Sequence, residues 1–148
     1  MRYFEDVEVG STATFGDYEV TAEEIKSFAE QYDPQPFHTD EDAAEESMFG
    51  GLIASGGHTM AICMRLTTEQ PDPVAALAGV GADNLRWVAP VRPGDRLSLR
   101  TEVIEKRPSS RHDDRGYVTT HVEVVRQDGE PVARFDNIAL VKRRSYEG

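Results

Sequence analysis

Between Thr21 and Tyr32 the apolar residues Ile25, Phe28, Ala29 and Tyr32 recur at i, i+3, i+4 and i+7, the spacing of one helical face. Thr21 precedes this stripe and Glu24 follows three residues later, which is capping-box spacing and starts the helix after Thr21. Pro34 ends it near Asp33, because a residue before proline is pushed out of the α region. A second, short helix is predicted within "TDEDAAEESMF". Thr39 or Asp40 can cap it, and its first turn carries acids, as the helix dipole favours. From Gly56 to Glu69 a third helix is apolar on most sides between Met60 and Leu66, a pattern that predicts enclosure by other structure.

Beyond "QPDPV" the period changes. "DNLRWVAPV" reads as a strand and "RPGD" as a turn. "RLSLRTEVIEKR" alternates, with Leu97, Leu99 and Val103 on one face. "GYVTTHVEVVRQDGEPVARFDNIALVKRR" reads as two long strands joined around Asp128-Gly129, a hairpin signal. "STATFGDYEV" supplies an earlier strand. One strand, then helices, then three or more antiparallel strands imply an α+β fold, a curved antiparallel sheet wrapped around the apolar helix. Residues 1–148 amount to one domain, with no repeat or linker.

Charge narrows the function. The formal net charge is -11, and residues 1–50 hold 14 Asp/Glu against only Arg2 and Lys26. Nucleic-acid binding needs a basic surface and is disfavoured. The acidic third reads as a solvated face. No segment has the roughly 20 apolar residues of a membrane span, and no apolar leader opens the chain. The lone Cys63 excludes a disulfide framework, so a cytoplasmic protein is expected.

Candidate chemistry concentrates in two places. Asp33 and His38 flank the stiff "PQP" unit, where a carboxylate and an imidazole can converge on one water and divide acid and base work. The plainer alternative is that Asp33 caps a turn and His38 binds backbone. Ser55, Gly56 and Gly57 open the apolar helix, where unpaired N–H groups suit an oxyanion and glycine admits close approach. The alternative there is a helix entry that needs small residues for packing. His58 follows at once. The four histidines lack metal-ligand spacing, so no metal is expected. Cys63 reads as core.

These residues resemble the MaoC-like dehydratases, and within them the (R)-specific enoyl-CoA hydratases. The family's D-x-N-P-[aliphatic]-H-x-D is matched in register by Asp33, Pro36, His38 and Asp40. Ala43 or Ala44, Phe49, Ile53, Ala54 and Gly56 continue the match. "LRWVAPVRPGD" is similar to the family's F-x-x-P-V-x-x-G-D element through Trp87, Pro90, Val91, Gly94 and Asp95. Gln35 stands for the family's Asn and Ser55 for its His. The resemblance implies a hot-dog fold and a homodimer with joined sheets, or a larger assembly. It implies an enzyme that adds water to a 2-enoyl thioester or removes it from a 3-hydroxyacyl thioester, with coenzyme A as part of the substrate and no separate cofactor. Asp33 is then base toward water, His38 proton donor to the α carbon, and the Gly56 N–H the oxyanion donor. Gln35, Ser55, Gly57, His58 and Arg86 are expected to contact substrate. Arg65, Arg86, Arg92 and Lys142-Arg143-Arg144 are candidates for the coenzyme A phosphates, and Met60, Met64 and Pro71 to Leu77 for pocket depth. A hot-dog thioesterase, and a non-catalytic or partner-dependent acyl-CoA-binding subunit, are the competing readings.

Overall fold

Five strands form one antiparallel sheet: β1 (Thr12–Glu19), β2 (Ala76–Trp87), β3 (Arg96–Pro108), β4 (Arg115–Val125) and β5 (Pro131–Lys142), in a computed structural model of residues 1–148. Their order is β1-β3-β4-β5-β2, so β1 and β2 are the edges. Period-2 patterning sets the inward face: Leu97 and Leu99 on β3, Val122 and Val124 on β4, and Phe135 on β5 are all buried. The hairpin between β4 and β5 turns at Asp128-Gly129, where Gly129 takes φ 84. The "DNLRW" strand begins earlier than its pattern suggests, at Ala76. The added stretch "ALAGVGA" is poor in large residues, which hides its strand character.

Four helices, α1 (Ala22–Tyr32), α2 (Pro36–Thr39), α3 (Glu41–Glu46) and α4 (Gly56–Thr67), separate β1 from β2. Thr21 caps α1, its hydroxyl accepting the Glu24 N–H at 3.1 Å. The reciprocal half of the capping box is absent, because the Glu24 carboxylate accepts from the Tyr18 hydroxyl instead. Asp40 caps α3 by accepting the Asp42 and Ala43 N–H groups. The residues Pro36–Thr39 form one helical turn of their own: Pro36 occupies its first position, where a missing N–H costs nothing.

Helix α4 lies on the inward face of the sheet. Ile62, Cys63 and Leu66 join Ile25, Leu97, Leu99 and Phe135 in the main core. A fully buried Leu such as Leu66 contributes roughly 1.5–3 kcal/mol. Gly16, at φ 93 where β1 shifts register, admits this contact, since a Cβ there would come 3.0 Å from Leu66 Cδ2. Enclosure of α4 is one-sided, contrary to expectation, and Met64 is 70% exposed. Met60 and Met64 line a cavity of about 800 Å³ bounded by the sheet, and Met60 also packs against the main core. A second, smaller core unites Phe4 and Val7 with Val103, Val118 and Val141.

Candidate active site

Two segments distant in sequence meet at the start of α4. The chain leaves α1 at Asp33, turns through Pro34–Gln35 and enters α2, which presents His38 inward. That turn is fastened to the strand-like segment before α4: the Ile53 N–H donates to the Phe37 carbonyl at 3.3 Å. His38 Nδ1 lies 2.7 Å from the Ile53 carbonyl. A carbonyl can only accept, so Nδ1 carries a hydrogen, and the proton that His38 gains or loses resides on Nε2. Nε2 stands 3.4 Å from Asp33 Oδ2. His38 is 5% exposed, whereas the Asp33 side chain is 36% exposed. The imidazole is thus fixed and half of the pair is open to solvent.

Ser55 completes this side. Its hydroxyl donates to Asp33 Oδ2 at 2.8 Å and accepts the Gly57 N–H at 3.2 Å. Gly56 is the first residue of α4, and its N–H has no partner in the chain, as the start of a helix dictates. The Trp87 indole lies against Gly56. A Cβ on Gly56 would come 2.5 Å from the ring, and the indole N–H donates to the Gly56 carbonyl at 3.2 Å. Asp33, His38, Ser55, Gly56, Gly57 and Thr59 line a cleft of about 580 Å³ whose opposite wall is Trp87 to Val91. Asp33 and His38 are its only titratable groups. The arrangement offers one acid–base pair, a free N–H on the helix axis, and an otherwise apolar wall.

Other expected site residues lie elsewhere. Gln35 is exposed, and its side chain makes no cap bond and does not line the cleft. His58 points to the far side of α4, where it is buried, stacked on Phe28 at 4.7 Å, with Nε2 3.6 Å from Glu24 Oε1. The 100° step per residue turns it away from a cleft that Gly56 and Gly57 face. Burial pushes the His58 imidazole below its ordinary pKa despite the nearby Glu24 carboxylate. The same carboxylate raises the Tyr18 hydroxyl to about 12, chiefly through its hydrogen bond. Burial pushes the Cys63 thiol up to about 11, as befits a core residue.

Arg86 sits opposite Arg134 across β2 and β5, both exposed, and is absent from the cleft lining. Arg65 pairs with Glu69, Arg143 with Glu5 and Arg144 with Asp6. Arg92 donates to the Phe49 carbonyl at 2.6 Å and so holds the loop beside the cleft. No group of three or more His, Cys, Asp or Glu is gathered in metal-binding geometry. No helix is long and apolar enough to cross a membrane.

No local spacing announces the contact of Trp87 with Gly56 or of Ser55 with Asp33, since each joins segments distant in sequence. The one signal for Trp87 was its place in the "LRWVAPVRPGD" element.

A five-stranded antiparallel sheet laid over one helix, with the site at that helix's N-terminus, is the hot-dog fold. The chain superimposes on the MaoC-like dehydratase of Rhodospirillum rubrum with a TM-score of 0.93 at 43% identity, over 99% of this chain and 100% of that one. It matches the R-hydratase PhaJ1 of Pseudomonas aeruginosa with a TM-score of 0.72 at 27% identity, over 96% of this chain and 86% of that one. The family model described as MaoC like domain matches residues 6–127, and the chain belongs to that family. In sequence it is 33% identical over 136 residues to a protein of Methylorubrum extorquens named 3-hydroxybutyryl-CoA dehydratase, covering 90% of this chain and 84% of that protein.

Proposed function

We propose that the protein is an acyl-CoA hydratase/dehydratase, interconverting a 2-enoyl and a 3-hydroxyacyl thioester. The observation that carries this is the Asp33–His38 pair, with Oδ2 3.4 Å from Nε2, in a cleft that also receives Gly56 at the start of α4. The pair holds one mobile proton, carried either by the Asp33 carboxylate or by Nε2, because the Ile53 carbonyl requires Nδ1–H throughout. In hydration, with Asp33 ionised and Nε2 protonated, Asp33 takes a proton from the water whose oxygen bonds to C3. Nε2–H delivers its proton to C2. The proton on Asp33 then returns to His38, so one water is added and the pair is restored. Charge building on the thioester oxygen meets the unpaired Gly56 N–H, an interaction worth on the order of 10²–10³ in rate. Dehydration runs the same steps backward.

The acyl chain is assigned to the cavity of about 800 Å³ beside α4, lined by Met60, Cys63, Met64, Val74, Val122 and Phe135. The free edge of β2, twelve residues long with Val80 and Trp87 exposed, is assigned to pairing with a second copy of the chain. The test is loss of the enoyl-thioester absorbance on adding protein to a panel of 2-enoyl-CoAs of increasing length. Absence of turnover across the panel, with release of free thiol from saturated acyl-CoAs, would instead assign a thioesterase. Binding without either product would assign a non-catalytic or partner-dependent subunit.

A further inference from the structure

We infer that Ser55 is the positioning residue of the acid–base pair, a donor that fixes Asp33 Oδ2 and ties it to the N-terminus of α4. Four observations carry this. Ser55 is 2% exposed, so its hydroxyl has no access to bulk water and must find its partners in the protein. The hydroxyl oxygen accepts the Gly57 N–H at 3.2 Å. Its hydrogen then has one acceptor in reach, Asp33 Oδ2 at 2.8 Å. The Ser55 backbone is itself pinned, since its carbonyl accepts the Thr59 N–H at 3.1 Å as the first bond of α4. The chain Gly57 N–H to Ser55 O–H to Asp33 Oδ2 therefore has a fixed direction.

Three consequences follow for the site. Oδ2 is occupied by Ser55 and faces His38 Nε2, whereas Oδ1 has no protein partner and is the oxygen left to receive a proton from water. Asp33 follows Tyr32, the last residue of α1, and the Ser55 hydroxyl supplies the one protein hydrogen bond to its side chain, so Ser55 is the donor that orients it beside His38. Finally, the Gly56 N–H and the Asp33 carboxylate are held to one another through three adjacent residues, Ser55 to Gly57. The oxyanion donor and the base keep their separation even though they come from different segments.

This inference rests on the hydratase reading for its kinetic consequence but not for its structural one. The test uses Ser55→Ala and Ser55→Thr in the full chain. Ser55→Ala removes the donor, while Ser55→Thr retains it. The expected result is a fall of about tenfold or more in kcat for Ser55→Ala with KM within about threefold. The acid limb of its kcat/KM profile moves to higher pH, because a carboxylate deprived of a donor holds a proton more readily. Ser55→Thr recovers most of kcat and the original limb. In the ligand-free proteins, the Asp33 carboxyl ¹³C resonance shifts in Ser55→Ala and returns in Ser55→Thr. An unshifted Asp33 resonance in Ser55→Ala overturns the inference, whether or not any enoyl-CoA is turned over. So does an unchanged pH profile, or equal loss of kcat in both variants. Inactivity of the wild-type protein toward every enoyl-CoA, with the resonance shifting as expected, defeats the hydratase reading and leaves the positioning role standing.

Discussion

Asp33→Asn separates chemistry from folding more cleanly than any other substitution in the site. Asn is isosteric, and its carbonyl oxygen can accept the Ser55 hydroxyl at the position of Oδ2, now 2.8 Å away. Its amide then takes the place of Oδ1, which has no protein partner, and the carbonyl oxygen keeps the position 3.4 Å from His38 Nε2. What folding loses is the charge-assisted part of one hydrogen bond, about 1 kcal/mol, and less still because the side chain is 36% exposed. The melting temperature should fall by no more than about 2–4 °C for a chain of this size. Catalysis loses the base altogether, about 10²–10⁴ in kcat, equivalent to about 3–5 kcal/mol of transition-state stabilisation. The assay is decay of enoyl-CoA absorbance under saturating substrate, with thermal unfolding followed by circular dichroism on the same preparation. If Asp33→Asn keeps kcat within about threefold of wild type, Asp33 is not the base. If it loses activity in proportion to a drop in melting temperature far larger than a few degrees, the residue is structural.

Other substitutions test the remaining parts. His38→Asn retains a donor for the Ile53 carbonyl but lacks Nε2, so it should abolish turnover with modest loss of stability. His38→Ala should cost a further 1–3 kcal/mol or so in denaturant unfolding, because it also strands that buried carbonyl. Gly56→Ala places a Cβ 2.5 Å from the indole of Trp87, the sole tryptophan. Its fluorescence spectrum should change and kcat should fall; an unaltered spectrum contradicts the packing. His58 has a folded pKa below its unfolded value of about 6.5. Its contribution is therefore complete above that pH and is lost progressively as pH falls toward the folded pKa, since only the unfolded chain takes the proton there. His58→Leu should flatten this acid slope in urea midpoints; an equally steep slope would assign it to other groups. Val80→Lys, on the free edge of β2 at a residue 52% exposed, should convert a dimer to a monomer in light scattering. If the particle mass is unchanged, β2 is not the interface.

Much of the fold was legible because it is written in short-range periodicity. The stripe through Ile25 and Ala29, the cap at Thr21, the hairpin at Gly129 and the inward Leu97 and Leu99 all depend on neighbours within a turn or a strand. β2 was read short because its first half lacks the large residues that mark strands, and pairing with β5 is what fixes it as a strand. The half-exposed state of α4 was illegible for a related reason. An apolar helix shows that burial is favourable without showing what covers each side.

The site divides in the same way. The sequence by itself determined that a carboxylate and an imidazole sit on one stiff turn, and that glycines open an apolar helix. Both follow from residue identity and local spacing. Only the tertiary structure decided that the two meet, through His38 Nδ1 on the Ile53 carbonyl and Ser55 Oγ on Asp33. It also decided that His58, adjacent to the glycines in sequence, faces Phe28 and Glu24 instead. Spacing along a chain gives the rotation of a side chain about its own helix axis. Which element lies in that direction is set by how the core packs, and that information is spread over core residues of the helices and the sheet rather than held in the motif.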